Sequence, residues 1–338
     1  MKKISKLIIC RVPFEYCNLS CEYCYVPHYI KDRQKRNRIG HSPKEIRQAF
    51  STKRLGGPSL IRMCAGGETM LCEELFPVVR ELLEEGHYIS IVTNGTVNSK
   101  FDEITSLPAN LREKIYFEFS FHFMELKQKN LLTDFFRNIN LMRDSGCSVS
   151  VDLVPNDNLI VYIDEIKQLC MENLGALCHL TIPSDASLKT KKLLSSMSYK
   201  EFTDTWKTFD SEQFNFKLKI FGEKRTEFCG AGDLSLYVFL DSGDYRQCYD
   251  TAAAGNIYEN IEKPLSFNAV GYCCPSPHCD NGHTLLTMGL MPSLKSITPT
   301  YEKARNRICA DGSEWINGIM KDVLSCQLSE NLNDIKDK

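Results

Sequence analysis

Short apolar runs alternate with longer amphipathic segments over the first two thirds of the chain. Lys6–Val12, Leu60–Ala65, Tyr88–Thr93, Ile115–Phe121, Ser148–Val154 and Cys178–Ile182 are rich in Ile, Val, Leu and aromatic residues, and each is short enough for a buried strand. The segments between them carry helix signals. Pro43–Arg54 opens with Ser42 as an N-cap and Pro43 in the first turn. Glu73–Glu85 and Asn130–Ser145 stop at Gly86 and Gly146, and Leu159–Met171 completes the set. Six strand–helix units in succession predict an α/β fold, a parallel sheet with helices on its outside.

Near residue 200 the pattern changes. Tyr199–Phe209 is predicted as a helix, then Asn215–Ile220, Leu234–Leu240 and Tyr245–Gln247 as short strands. The turn residues Asp241-Ser242-Gly243-Asp244 join the last two into a hairpin. Two units are expected, residues 1–205 and 206–338, the second small, lacking a full hydrophobic core and organised by metal. Thr300–Ile308 and Glu314–Ser325 are predicted as helices folding back over the whole, and Lys336–Lys338 as a frayed tail.

Composition narrows the classes. The chain has 338 residues, 43% hydrophobic and 25% charged, with a net charge of -2. That charge gives no basic field to attract nucleic acid or an anionic membrane. No apolar run spans a bilayer, and the N-terminus lacks the apolar core of a signal peptide. A cytoplasmic protein is expected. Its 16 cysteines are then not a disulfide framework, which a reducing cytosol does not maintain. Cys10, Cys64, Cys72, Cys147, Cys170 and Cys178 lie in apolar segments and are expected as small core residues. The rest cluster.

Cys17-Asn-Leu-Ser-Cys21-Glu-Tyr-Cys24 sets three thiols in eight residues, directly after the first strand. Chance would produce this spacing about 0.04 times in such a chain. Thiolates suit zinc or iron–sulfur clusters. Zinc needs a fourth ligand, for which His28 is the nearby candidate. Three cysteines on a [4Fe–4S] cube leave one iron open to a substrate or cofactor.

Cys-x3-Cys-x2-Cys with Tyr23 before the third cysteine resembles the signature of radical S-adenosylmethionine enzymes. Gly66-Gly67-Glu68 after the second strand, Thr93-Asn94-Gly95 ending the third, Ser120 ending the fourth and Asn156 after the fifth match the family's cofactor-contacting elements in order. The resemblance covers roughly residues 5–200. It implies a partial (β/α)6 TIM-like barrel in which Cys17, Cys21 and Cys24 hold a [4Fe–4S] cluster. Tyr23, Gly66, Gly67, Glu68, Thr93, Asn94, Ser120 and Asn156 would contact S-adenosylmethionine. A reduced cluster would cleave that cofactor to methionine and a 5′-deoxyadenosyl radical, which abstracts hydrogen from a substrate. The electron donor would be a flavodoxin or ferredoxin. Ligands gathered at the carboxyl ends of parallel strands fit this arrangement. The glycine pair leaves backbone accessible to a ligand amine.

The resemblance extends further. Cys229, thirteen residues, then Gly243-x4-Cys248 is similar to the opening of a SPASM or twitch extension. With Cys274 and Cys279, or Cys273 in place of Cys274, four ligands are available for one auxiliary [4Fe–4S] cluster in a twitch-type α+β domain. A zinc ribbon on the same cysteines is the alternative.

His122 and Asp152 are the candidate catalytic residues. The first is placed to exchange a proton at the end of the fourth strand, and the second is a carboxylate among strand residues that needs a partner. Asp157 is expected to cap the next helix. The basic run Lys31–Arg38 is expected either as a solvated loop or as a clamp for an anionic group. The substrate is a peptide side chain or a small molecule. The first strand's early start, leaving no preceding peptide-recognition domain, favours the small molecule. RNA modification and a non-enzymatic, zinc-organised interaction protein are the rival readings.

Overall fold

The computed structural model describes residues 4–185 and 191–335. The expected tail Lys336–Lys338 lies outside the described residues. Nine strands form one open sheet in the order β6-β5-β4-β3-β2-β1-β7-β8-β9. They are β1 Leu7–Val12, β2 Leu60–Ala65, β3 Tyr88–Thr93, β4 Ile115–Ser120, β5 Ser148–Leu153, β6 His179–Leu180, β7 Ser235–Phe239, β8 Asp244–Arg246 and β9 Ala253–Asn256. The first six run parallel, as their alternation with helices predicts. The fold class is α/β, with helices packed on an open, mostly parallel sheet.

Strand alternation sorts side chains into two layers. Ile8, Cys10, Val12, Ile61, Met63, Ile89, Ile91, Phe117, Phe119, Val149 and Val151 face the helices and are buried with them. Each Ile or Leu so buried contributes roughly 1.5–3 kcal/mol relative to exposure. The helices begin where their sequences direct. Ser42 Oγ accepts from Glu45 N at 3.2 Å while the Glu45 carboxylate accepts from Ser42 N at 2.7 Å, a reciprocal cap on the helix Pro43–Ala49. The helix Leu75–Glu84 stops at Gly86, whose φ of +106° a residue with a Cβ resists. The expected helix Leu159–Met171 is in fact a 3-10 turn, Asp157–Tyr162, running into the helix Ile163–Leu174.

The other sheet face carries a second core. Leu7, Ile9, Leu60, Tyr88 and Tyr116 pack against Phe216, Leu285, Met288, Tyr301, Met320 and Leu324. Segments after residue 205 therefore cover the inner face of the first strands. β7 adds to the same sheet, parallel to β1, with Leu7 opposite Ser235 and Arg11 opposite Phe239. The helix Tyr199–Trp206 runs across residue 205.

Two local expectations differ. Asn215–Ile220 is not a strand but part of the helix Glu212–Ile220. Alternating Phe214, Phe216, Leu218 and Ile220 fit a period of two, yet Ser211 Oγ accepts from Phe214 N and caps a helix. Thr300–Ile308 and Glu314–Ser325 are helical only over Tyr301–Arg305 and Gly318–Leu324, because Ile308 and Glu314 pair as an extended bridge. The hairpin at Asp241–Asp244 is present, and β9 extends it by pairing antiparallel with β8.

The shared sheet and shared second core generate a test of the two-unit division. A fragment of residues 1–205 leaves Leu7, Ile9, Tyr88 and Tyr116 uncovered, and is expected to bind a hydrophobic dye and to melt without a cooperative transition by circular dichroism. A cooperative melt of that fragment would instead establish residues 1–205 as an independent unit.

Candidate functional site

The loop bearing Cys17, Cys21 and Cys24 leaves β1 and is laid directly on the end of β2. Gly67 N donates to Phe14 O at 2.8 Å, and Glu68 N donates to Tyr16 O at 2.9 Å. A Cβ on Gly67 would stand 1.9 Å from Tyr16 O, and one on Gly66 would stand 1.9 Å from Glu15 Oε2. Backbone at Glu15 and Tyr16 fills the space beside Gly67, and the side chains of Glu15, Ile30 and Arg11 fill that beside Gly66.

Glu68 is the joint beneath the loop. Its buried carboxylate accepts from Met70 N at 2.9 Å, Thr93 Oγ1 at 2.6 Å and Asn94 N at 2.7 Å. Burial raises its carboxyl above the ordinary value despite these three donors. Asn94 continues the chain of contacts. Its Nδ2 donates to Asn18 Oδ1 at 2.8 Å and lies 3.8 Å from Cys17 Sγ, and its Oδ1 accepts from Thr96. Asn18 Nδ2 donates in turn to Thr96 Oγ1. Thr93, Asn94 and Glu68 thus support the cysteine loop from the ends of β2 and β3.

Tyr23 turns inward. Its hydroxyl lies 2.8 Å from His122 Nδ1 and also interacts with Cys21. Burial depresses His122 to about 4, so at neutral pH the imidazole is uncharged and shares a hydrogen bond with the Tyr23 hydroxyl at Nδ1. In this arrangement His122 holds the aromatic residue of the cysteine loop. Glu125, three residues on, accepts from Ser20 N at 2.8 Å. Burial raises Cys17, and burial with Glu125, Cys17 and Cys24 nearby pushes Cys21 up to about 12. Thiols crowded beside carboxylates favour the thiolate once a cationic centre is supplied, so this donor set fits an iron–sulfur cluster. The side chain of His28 lies outside the described residues.

The remaining expected positions are distributed around the same end of the sheet. Ser120 ends β4 opposite Asp152 on β5. Asn156 caps the turn after β5, its Oδ1 accepting from Asn158 N at 3.1 Å. Asp157 does not cap that turn, since its carboxylate instead takes Ser195 Oγ and the backbone and hydroxyl of Ser196. The basic run is largely exposed, as a solvated loop would be; Arg36 stacks 4.1 Å over the Tyr16 ring, and Arg38 pairs with Glu74 at 2.7 Å at the surface.

The inner face of the sheet holds charges that the sequence reading missed. Arg62 binds Glu118 through two bonds of 2.9 and 2.7 Å, and Ser90 Oγ donates to Glu118 at 2.6 Å. Burial alone would raise Glu118, but Arg62 and Arg305 outweigh it and hold the carboxyl below its ordinary value. Asp152 accepts from Gln213 Nε2 at 2.9 Å, and its burial outweighs Arg305 and Lys217 to raise it. A signal existed: LIRMCA and IYFEFS each carry one charged residue inside an apolar strand, and such residues require partners. Cys64, expected in the core, is half-buried on this inner face, whereas Cys10, Cys72, Cys147, Cys170 and Cys178 are buried.

Cys229, Cys248, Cys274 and Cys279 line one cavity with Tyr249 and Met291. Cys229 is fixed by a two-way backbone bridge to Gly271, and Cys248 N donates to Thr251 Oγ1. The thiols sense one another: burial first, then Cys229 and Cys274, push Cys248 up to about 12. Cys273 is exposed and is not among the lining residues. Among the described residues, no three His, Cys, Asp or Glu side chains converge on a point suited to one metal ion. The four cysteines ring a space instead.

Comparison with known proteins bears on the same stretch of the chain. The family model of the Radical SAM superfamily matches residues 12–158. Over 151 residues the chain is 27% identical to 7-carboxy-7-deazaguanine synthase of Methanospirillum hungatei, covering 44% of this chain and 54% of that relative's length. Among solved structures, native anSMEcpe with bound AdoMet is similar with a TM-score of 0.50 at 17% identity, over 75% of this chain and 79% of that one. SuiB of Streptococcus suis is similar with a TM-score of 0.50 at 14% identity, over 80% and 67%. Among the described residues no helix is long and apolar enough to cross a membrane. The thiol triad, the loop laid on the glycine pair and the match to the Radical SAM superfamily model lie in one stretch of sequence, residues 12–158.

Proposed function

We propose that this protein is an enzyme that cleaves S-adenosylmethionine reductively and uses the resulting radical to abstract hydrogen from a peptide or small-molecule substrate. The observation that carries the reading is the junction of Cys17 with Asn94, Thr93 and Glu68, which gathers three thiols on one loop against the ends of β2 and β3. A [4Fe–4S] cluster held by Cys17, Cys21 and Cys24 would supply one-electron chemistry and an open iron for the cofactor. An electron donor of the flavodoxin or ferredoxin type is required.

The chain's own residues have distinct tasks in this reading. Gly66 and Gly67 allow the cysteine loop to lie on β2. Glu68 and Asn94 fix its height. Tyr23, Ser120 and Asn156 border the space for the nucleoside. His122 holds Tyr23, and Asp152 faces the interior, where the substrate would sit. Cys229, Cys248, Cys274 and Cys279 would hold one auxiliary [4Fe–4S] cluster, the ring of thiols around a common cavity supporting that set over one with Cys273. The segments after residue 205 would then form a twitch-type unit built onto the barrel's own sheet.

Three outcomes test this. Anaerobically reconstituted protein is expected to hold about eight iron and eight sulfide per chain, two [4Fe–4S] clusters. Joint replacement of Cys17, Cys21 and Cys24 should halve that content, while wild-type loading of about four would remove the auxiliary cluster. With dithionite and S-adenosylmethionine, the protein should release 5′-deoxyadenosine, measured by chromatography, and Cys24→Ala should release none. Gly67→Ala is expected to lower iron content severalfold, because its methyl group displaces Tyr16 beside Cys17. Full iron loading in Gly67→Ala with weakened cofactor binding would show instead that the glycine serves the ligand.

A further inference from the structure

The interior beneath the strand ends has more positive charge than its carboxylates balance. Four cations, Lys217, Arg305, Arg62 and Lys191, act on His283. Lys191 is also attracted to Asp280, which bonds His278 at 2.7 Å. Arg62 is matched by Glu118 in a bidentate pair. Arg305 and Lys217 are left to share Asp152, and Asp152 is already bonded to Gln213. One of the two is a guanidinium, which stays charged and has no carboxylate bonded to it.

That cation is Arg305. Its residue is 1% exposed, and both Nε and Nη1 lack any hydrogen-bond partner. Its guanidinium stacks 4.0 Å over the Tyr301 ring, and the nearby charges it senses belong to Glu118 and Asp152, not within bonding contact. Beside it, Gln213 Oε1 is buried and unbonded as well. A buried guanidinium with two idle donors is costly unless something accepts from them. Asp152, Lys217 and His283 are each half-buried. Burial lowers Lys217 to about 7, and a bound anion would restore its charge.

We propose that Arg305 and Lys217 bind an oxyanion group of the substrate, a carboxylate or a phosphate, in the barrel interior next to Asp152. Nε and Nη1 point to different sides of the planar guanidinium, and each offers one charge-assisted hydrogen bond to an oxygen of such a group. Lys217, whose Nζ donates to Thr181 Oγ1, adds a point charge, and Gln213 Oε1 accepts from a neighbouring hydroxyl or amide of the same molecule. The substrate is thus an anionic molecule held at one end by its charge. This inference rests on the proposed function in taking the interior as the substrate's place.

The test uses reconstituted holoenzyme saturated with S-adenosylmethionine, so that the cofactor's own carboxylate is already placed. Sodium succinate and sodium phosphate are the probes, with sodium chloride at equal ionic strength and neutral succinamide as controls. Either probe at tenfold its dissociation constant is expected to raise Tm by roughly 2 °C. A response to succinate alone assigns a carboxylate substrate, and one to phosphate alone assigns a phosphate ester. Arg305→Gln should lose the shift and Arg305→Lys should keep part of it. Should Arg305→Gln fail to fold, Lys217→Met serves, with the shift at least halved. No shift in the wild type, an equal shift with chloride or succinamide, or a full shift in a folded Arg305→Gln or Lys217→Met would overturn the proposal. Deoxyadenosine release from the same wild-type preparation separates the two readings: release without any probe response removes only the oxyanion site, and a response without release removes only the radical chemistry.

Discussion

The buried carboxylate of Glu68 fixes the geometry on which the candidate site depends. It joins the end of β2 to the end of β3 through Thr93 and the Asn94 amide. Asn94 then reaches across to Asn18 and Cys17. Three backbone or side-chain donors converge on one group that has almost no water around it, so removing the carboxylate would leave several donors unsatisfied together. Within the cysteine loop, Leu19 is buried in the core and Tyr16 packs against it. The loop's position is also set by the sheet, through these bonds and through the close approach allowed by Gly66 and Gly67.

The parallel sheet was legible because each of its first six strands is a compact apolar run bounded by helix signals that the local residues honour. Ser42 and Gly86 act where a cap and a stop were expected. The thiol loop was legible for a different reason, since sequence-local spacing determines which cysteines share a loop. The glycine pair was legible as a place needing bare backbone. That Tyr16 lies against Gly67 and Glu15 against Gly66 is tertiary: nothing in residues 66–67 specifies which chain segment will lie on them. Asn215–Ile220 misled because a helix with aromatic residues at alternate positions imitates strand periodicity. The interior charges were half-legible. Arg62 and Glu118 interrupt apolar strands, whereas Arg305 and Lys217 sit in helices where cations are ordinary.

The second core changes the meaning of the chain's last third. Cysteine clustering suggested a small appendage held by metal. Leu285, Met288, Tyr301, Met320 and Leu324 are instead buried against the inner faces of β1 to β4. The segment after Arg305 reaches even farther. Val149 N donates to Trp315 O, and Asn317 bonds Ser148, Glu113 and Gly146, closing the amino-terminal end of the strands. Arg305 is held between these attachments, which explains how a guanidinium comes to lie in the interior at all.

The pairing of β1 with β7 has a consequence for how the chain reaches this state. Leu7 finds its partner Ser235 only after about two thirds of the protein has been made. Synthesis proceeds from the amino terminus, so β1 emerges from the ribosome with one edge open to β2 and the other vacant for many seconds. Its inner residues Leu7 and Ile9 wait longer still, for the helices beyond residue 280. Contacts of such long sequence separation form late and slowly. During that interval the nascent chain displays an unpaired strand edge beside exposed apolar side chains, a surface that chaperones recognise and that other unfinished chains can join.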